Sequence, residues 1–153
     1  MSDLRVGLVG CGRISRRHME AIRANRGIRL VAVCDTVEAR GEAVGELAGV
    51  PSVGRMSDLP EVDVVTIATP SGLHPRHVLQ AAEETSARYL VCEKPLSLTL
   101  RELVEMYRGV NERGRRLLPV YQNRYNPLVV FLKQSLRLPI RKTHVRRPLS
   151  PSG

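Results

Sequence analysis

Short apolar runs and amphipathic segments alternate along the first 120 residues of the chain. The apolar runs are rich in β-branched side chains, which is typical of buried strands. The amphipathic segments repeat apolar residues at helical spacing. Strands are therefore predicted at residues 4–9, 30–33, near Val53, and at 62–68, 89–92 and 117–121, and helices at 14–25, 37–47, 74–84, 99–114 and 126–136.

Local signals mark the ends of two of these helices. Thr99 is followed three residues later by Glu102, the spacing of a capping box that satisfies free backbone N–H groups. Gly27 follows the first helix as a C-terminal stop signal. The buried face of that first helix is predicted to hold Ile14, His18, Ala21 and Ile22.

The alternation of strands and helices predicts the fold class. Strands joined by helices of this length pair in parallel through right-handed crossovers. Nearly continuous apolar strands such as VDVVTIA suit a sheet with helices on both faces. We therefore expect an α/β fold with a doubly wound parallel sheet in a single domain. Such sheets bind ligands beyond the carboxyl ends of their strands, where we expect Cys11, Asp35, Thr69, Glu93 and Gln122.

The stretch GLVGCGRIS joins the first predicted strand to the first helix. Gly10 permits a tight turn, Gly12 lets the backbone approach a pyrophosphate, and the helix N-terminus offers N–H donors. The third motif position, which favours a very small residue, holds Ser15. With Asp35 at the end of the second strand, the motif predicts a Rossmann dinucleotide-binding fold. The alternative is a glycine turn with an unrelated helix-capping acid.

Asp35 also bears on the choice of cofactor. A carboxylate at this position accepts hydrogen bonds from both ribose hydroxyls and repels a 2′-phosphate. We therefore expect NAD(H) to be bound in preference to NADP(H). Arg40 keeps the alternative open, because a nearby arginine can accommodate the phosphate.

The stretch VCEKPLSL places two charged residues, Glu93 and Lys94, directly after a buried strand. Pro95 then fixes the next backbone angle and prevents the strand from continuing. One interpretation is an ordinary strand-to-helix turn in which Lys94 pairs with Glu93 at the surface. The other is a reactive lysine at the edge of a cofactor site.

Four stretches occur in the order GLVGCGRIS, ATPSGLHP, CEKPLSLT and YQNRYNP, and together they resemble the Gfo/Idh/MocA oxidoreductases. The resemblance covers residues 4–136. The nearest likeness is to 3-dehydrogenases of nucleotide sugars, of the UDP-N-acetylglucosamine and glucuronate type, in which a QNR-Asn-Pro stretch is familiar.

The resemblance implies a role for each matched position. The turn at Gly10 and Gly12 would hold the pyrophosphate, Asp35 the adenosine ribose, and Glu93 and Lys94 would border the nicotinamide. The family usually has Asn at the position of Ser71, which puts one side-chain contact in doubt. The implied cofactor-binding residues are Gly10, Cys11, Gly12, Arg13, Ile14, Asp35, Thr69, Pro70, Ser71, His74, Glu93, Lys94 and Gln122, and the implied substrate residues are Arg124 and Asn126.

The resemblance also implies a reaction, hydride transfer between nicotinamide and a secondary hydroxyl of a sugar, polyol or nucleotide sugar. The cofactor carries the hydride, while the protein orients the reactants and moves a proton. Lys94 is the implied catalytic residue, and a lysine suits this task when it is partly buried. His74 could instead be a helix-start residue, and Arg124 a solvated charge.

The net charge of +9 is unevenly distributed. Residues 1–112 carry 14 Lys and Arg against 15 Asp and Glu, whereas residues 113–153 carry 10 basic residues and no acid. A basic segment can bind nucleic acid through its phosphates, with strong salt dependence. Because the segment contains no recognisable nucleic-acid module, we do not expect a nucleic-acid partner.

Composition also indicates the cellular compartment in which we expect the protein. The sequence has no apolar run of membrane-spanning length and no signal peptide, so we expect a soluble, cytoplasmic protein without a membrane partner. Cys11, Cys34 and Cys92 are widely spaced and odd in number, which predicts buried thiols in a reducing compartment. Their spacing predicts no metal site.

The predicted organisation is a Rossmann domain at residues 1–120, the start of a connection at 121–136 and a basic, disordered tail at 137–153. Members of the resembled family are more than twice as long, and their second domain binds substrate. We therefore expect a truncated chain, with a frameshift as one hypothesis, whose exposed apolar surface favours self-association. The alternative function is a non-catalytic dinucleotide-binding or sensing module.

Overall fold

Six parallel strands form one sheet in the computed structural model, which describes residues 3–135. The strands are β1 (Leu4–Val9), β2 (Ile28–Cys34), β3 (Ser52–Val53), β4 (Val64–Ile67), β5 (Tyr89–Cys92) and β6 (Arg116–Pro119). They lie in the order β3-β2-β1-β4-β5-β6. The chain thus reverses direction across the sheet between β3 and β4, as in doubly wound dinucleotide-binding folds, and the predicted fold class is confirmed.

Helices α1 (Ser15–Ala24), α2 (Glu38–Ala48), α3 (His74–Glu84) and α4 (Leu100–Glu112) cover both faces of this sheet. Helix α5 (Pro127–Ser135) follows later in the chain. Short 3-10 turns occur at Met56–Asp58, Ser71–Leu73 and Gln122–Tyr125. Helix α1 packs on β2 and α2 on β2 and β3, whereas α3 packs against α4, β4 and β5.

Consecutive side chains in the central strands serve two separate cores. Leu8 and Val33 pack with Met19 of α1 in one buried cluster. Their neighbours Val9 and Cys34 belong to the other cluster, which the side chains of α3 and α4 complete. Because side chains alternate between the two faces of a strand, a strand buried on both sides must be apolar throughout.

Two of the predicted boundaries and faces are wrong in detail. Ala21 is exposed, and Met19 takes the central buried position on α1 instead. Strand β6 ends at Pro119 and not at Tyr121, because it lies at the sheet edge and pairs only with β5. Because β6 is an edge strand, it is half-exposed. The apolar residues that continue to Tyr121 therefore did not indicate where the strand ends.

The predicted cap of α4 is confirmed, with a different partner for the acid. The Thr99 hydroxyl oxygen accepts a hydrogen bond from the Glu102 backbone N–H at 3.2 Å. The Glu102 carboxylate accepts from the Thr99 hydroxyl at 2.8 Å and does not reach back to the Thr99 backbone. The Thr99 hydroxyl therefore bonds both the backbone N–H and the carboxylate of Glu102 in the first turn of α4.

Internal contacts divide the described residues into two units between Tyr121 and Gln122. In the second unit the Asn126 side-chain oxygen accepts from the Leu128 backbone N–H at 2.9 Å and caps α5. The predicted helix end at Leu136 and the predicted basic tail at 137–153 lie outside the described residues. No helix within residues 3–135 is long and apolar enough to cross a membrane.

An ion-paired group joins the start of β1 to the residue before β4. The Arg5 guanidinium donates to both Asp63 oxygens, at 3.0 and 3.1 Å, and the Arg5 backbone N–H donates to the same carboxylate at 2.8 Å. Glu61 accepts a further bond from Arg5 at 2.8 Å. These hydrogen bonds favour the ionised form and lower the pKa of Asp63 to about 2.

The lowered pKa of Asp63 predicts a pH-dependent contribution to stability. The ionised carboxylate stabilises the fold above its unfolded pKa of about 4, and this contribution is lost as the pH falls toward about 2. We expect Asp63→Asn to be less stable than the wild type at pH 7, with a difference that shrinks below pH 4.

Urea unfolding at pH 7, 5 and 3 measures this difference. Glu105→Gln, which removes an exposed helical ion pair with Arg101, is the control and should have little effect at any of these pH values. A constant difference for Asp63→Asn across the range would contradict the linkage.

Candidate cofactor site

The turn between β1 and α1 requires glycine at position 10. Gly10 has φ of +95°, and a Cβ there would lie 2.8 Å from the Ala68 backbone carbonyl and 2.9 Å from the Thr69 side chain. The Gly10 N–H donates to the Cys34 carbonyl at 2.8 Å. The turn therefore lies directly against the ends of β2 and β4, which any larger residue would displace.

Three successive backbone N–H groups after this turn lack a protein acceptor. Within residues 3–135, the N–H groups of Gly12, Arg13 and Ile14 donate to no protein oxygen. A Cβ on Gly12 would meet nothing within 4 Å, so the space beside this backbone is open. Free N–H donors at the positive end of α1, beside open space, fit a pyrophosphate.

Ser15 occupies the third position of the motif, where a glycine or alanine is more usual. Its side chain is buried, and its hydroxyl donates to the Gly12 carbonyl at 2.6 Å. A serine is small enough for close packing of α1, and its only polar atom is satisfied inside the turn. The hydrogen bond also holds the backbone from which the free N–H groups project.

Asp35 is half-buried at the end of β2, with both carboxylate oxygens held by backbone donors. One oxygen accepts from the Cys11 N–H at 2.8 Å, and the other accepts from the Val37 N–H at 2.8 Å. The carboxylate is thus fixed beside the glycine turn, and each oxygen retains a lone pair for a further donor. Arg40, the residue that kept NADP open, is exposed on α2.

The segment after β4 is held by two histidines. The Thr69 carbonyl lies 2.8 Å from Nε2 of His74, and the Thr69 hydroxyl lies 2.9 Å from Nδ1 of His77. Pro70 is exposed, while Thr69 and Ser71 are half-buried. The histidine contacts leave the exposed side of this loop available to a ligand.

His74 is placed differently from the contact residue that the resemblance implies. Its side chain is 1% exposed. Besides the Thr69 contact, its Nδ1 lies 2.7 Å from the Pro95 carbonyl. Direct contact with a cofactor does not fit this geometry, because both ring nitrogens already have protein partners.

His77 is a residue that the sequence reasoning missed. Burial, the largest effect, and the nearby positive charges of Arg76 and His74 lower the pKa of His77. A neutral imidazole at this position can accept from the Thr69 hydroxyl. Its spacing of three residues from His74 on α3 is the signal that could have identified it.

His18 is a second missed residue, since the sequence analysis assigned it only to an apolar face. Its Nε2 lies 2.9 Å from Oε1 of Glu93, and the two side chains are 14% and 12% exposed. The pair joins α1 to the residue after β5. The other Glu93 oxygen accepts from the Lys94 backbone N–H at 3.2 Å.

Lys94 follows β5 with an exposed side chain. Within residues 3–135 its ammonium forms no ion pair, so the surface pairing with Glu93 is not observed. The partial burial that would suit Lys94 to proton transfer is also not present. The Lys94–Pro95 peptide bond is cis.

The remaining predicted residues lie in the second unit. Gln122 and Arg124 belong to the 3-10 turn at Gln122–Tyr125, and Asn126 caps α5 through its side-chain oxygen. The first unit therefore brings together the glycine turn, Asp35, the Thr69 loop and the residues after β5. The roles of the three residues in the second unit stay predictions.

The three cysteines are buried and free; Cys34 and Cys92 are the last residues of β2 and β5, and Cys11 lies in the glycine turn after β1. Burial raises the pKa of the Cys11 and Cys92 thiols to about 12 and that of Cys34 to about 11. The part of the chain that the structure describes contains no group of three or more His, Cys, Asp or Glu able to hold a metal ion.

Comparison with known proteins identifies the family of this arrangement. The model of the Gfo/Idh/MocA oxidoreductase family, NAD-binding Rossmann fold, matches residues 4–121. The inositol 2-dehydrogenase of Mycolicibacterium smegmatis is 33% identical over 141 residues, covering 87% of this chain and 40% of that protein. The D-apiose dehydrogenase of Paraburkholderia graminis is 33% identical, covering 85% of this chain and 35% of that protein.

A solved structure agrees in fold. The WlbA dehydrogenase from Chromobacterium violaceum, in complex with NADH and UDP-GlcNAcA, has a TM-score of 0.83 and 30% identity, covering 90% of this chain and 40% of that one. The chain thus spans about 40% of the length of several relatives it matches.

The raised pKa values of the three cysteines predict slow alkylation in the folded state. Few thiolates form near pH 8, and burial excludes the reagent, so we expect iodoacetamide to react at least ~100-fold more slowly than in urea. Mass spectrometry of the native and unfolded protein measures modification at each site. Rapid native modification of Cys11 would instead show that the glycine turn opens.

Proposed function

Because this chain belongs to the Gfo/Idh/MocA oxidoreductase family through its NAD-binding Rossmann domain, we propose that it supplies the cofactor-binding part of an NAD-dependent dehydrogenase. The substrate we propose is a secondary hydroxyl of a sugar, polyol or nucleotide sugar. The observation that carries the proposal is the row of free N–H donors at Gly12, Arg13 and Ile14, beside the fixed carboxylate of Asp35.

The binding step divides between backbone and side chain. The N–H groups of Gly12, Arg13 and Ile14 would bind the pyrophosphate without a charged side chain, since the dipole of α1 already favours an anion there. Asp35 would accept from the adenosine ribose hydroxyls, because its backbone partners orient it and leave lone pairs free. The nicotinamide half would lie toward the Thr69 loop and Lys94.

The chemical step separates a hydride from a proton. A bound nicotinamide supplies the hydride acceptor or donor. Oxidation of a secondary alcohol to a ketone also releases the hydroxyl proton, which the neutral amine of Lys94 would accept; in the reduction direction the Lys94 ammonium would return that proton to the carbonyl oxygen. The Glu93 carboxylate is instead held within the fold, with one oxygen at His18 and the other at the Lys94 N–H.

The substrate class is supported by the relatives named above. Those proteins are named for inositol and D-apiose, and the WlbA structure holds UDP-GlcNAcA. All three compounds carry secondary hydroxyl groups on a polyhydroxylated skeleton. We extend that shared chemistry to this chain and leave the individual substrate open.

A non-catalytic dinucleotide-binding module is the second candidate. It is favoured by the exposure of Lys94, because a proton-transfer residue in free solvent is poorly placed to act alone.

Self-association and the absence of a nucleic-acid partner stay predictions.

Binding measurements test the cofactor proposal. We expect the protein to bind NADH about tenfold or more tightly than NADPH, since Asp35 repels a 2′-phosphate. Asp35→Asn removes the charge and should reduce the preference, whereas Glu105→Gln on the exposed face of α4 should not. Nicotinamide fluorescence titrations give both affinities, and tighter binding of NADPH by the wild type would contradict the assignment.

Turnover separates the two candidate functions. The protein is mixed with NAD and a panel of polyols and nucleotide sugars, and absorbance of the reduced nicotinamide is followed. We expect Lys94→Ala to reduce any turnover by at least ~100-fold, as loss of a general acid or base does. Lys133→Ala, on α5, is the control for a lost surface charge. Tight NADH binding without turnover would favour the non-catalytic module.

A further inference from the structure

The backbone ladder between β4 and β5 stops just before the candidate site. Its last bond runs from the Glu93 N–H to the Ile67 carbonyl at 3.1 Å. Beyond it the Thr69 loop and the Lys94–Pro95 turn diverge from the sheet. Within residues 3–135, no backbone hydrogen bond joins these two segments past Glu93.

The ring of His74 lies between the two segments. Nε2 is 2.8 Å from the Thr69 carbonyl, and Nδ1 is 2.7 Å from the Pro95 carbonyl. Two carbonyl oxygens cannot bond each other, because each can only accept. A group with two donors on opposite sides can bridge them, and an imidazole protonated on both nitrogens is such a group.

We propose that His74 is a positioning residue that clamps the Thr69 loop to the Lys94–Pro95 turn by donating from both ring nitrogens. Under the proposed function, on which this inference rests, the two clamped segments border the nicotinamide half of the site. Because the Pro95 carbonyl is one residue from Lys94, the clamp also fixes the backbone that carries the lysine.

Other side chains fit the position poorly. A glutamine carries both of its donors on one nitrogen, and its amide oxygen would face a carbonyl. A phenylalanine preserves the ring and leaves the Thr69 and Pro95 carbonyls without their His74 donors, which costs free energy. His77 makes a different contact, with the Thr69 hydroxyl alone, and does not reach Pro95.

Two probes of different length test the positional claim. NADH has a nicotinamide, whereas ADP-ribose has the adenosine, pyrophosphate and second ribose without it. We expect His74→Phe to weaken NADH binding about tenfold, the effect of losing a part-buried hydrogen bond to a charged donor, and ADP-ribose binding less than about threefold. His74→Gln should lie between the wild type and His74→Phe.

Asp63→Asn is the control for a general loss of stability. Asp63 lies before the first residue of β4, whereas the candidate site lies beyond the carboxyl ends of the strands. It should leave binding of both probes unchanged at pH 7. Unchanged NADH binding by His74→Phe, or an equal loss for NADH and ADP-ribose, would overturn the clamp.

Nuclear magnetic resonance of the unliganded wild type tests the clamp without a cofactor. Two slowly exchanging imidazole N–H protons on the His74 ring, each coupled to its own nitrogen, are expected. A single ring N–H would overturn the clamp, whatever the protein binds. A wild type that shows both protons and binds neither probe would overturn the proposed function and leave the clamp standing.

Discussion

The close contact between the glycine turn and the end of β4 is the constraint on which the candidate site depends. Gly10 lies so near the Ala68 carbonyl that a side chain there would collide with the backbone. The resulting tight turn starts α1 beside the sheet, with the N–H groups of Gly12, Arg13 and Ile14 free. A looser turn would let these donors bond the chain itself, and the row of free N–H groups would disappear.

Beyond the strand ends, side chains replace the backbone ladder. Parallel strands bring segments that are distant in sequence to one edge, but the loops that follow have unpaired carbonyls and no common register. Histidine is suited to connecting such loops, since its ring has two nitrogens on opposite sides. His18 joins α1 to Glu93, and His74 joins the Thr69 loop to Pro95.

Local patterns were sufficient to predict the fold and the positions at which the glycine turn and Asp35 lie in it. The positions of Gly10, Gly12 and Asp35 follow from spacing within one βαβ unit, so the sequence predicts them directly. The contact of His18 with Glu93 spans 75 residues and depends on how α1 packs, which no local pattern contains. The same limit explains why Met19 and not Ala21 is buried, since the orientation of α1 is decided by the sheet beneath it.

The adjacent charges of the CEKP stretch have separate tasks. The Glu93 side chain is nearly buried, and its carboxylate contacts the imidazole of His18. That contact leaves Lys94 without its nearest carboxylate and keeps its ammonium exposed. An ion pair between the two would have occupied at least one of the three N–H donors of the Lys94 ammonium. By holding Glu93, His18 therefore links α1, the helix that starts at the glycine turn, to the residue directly before Lys94.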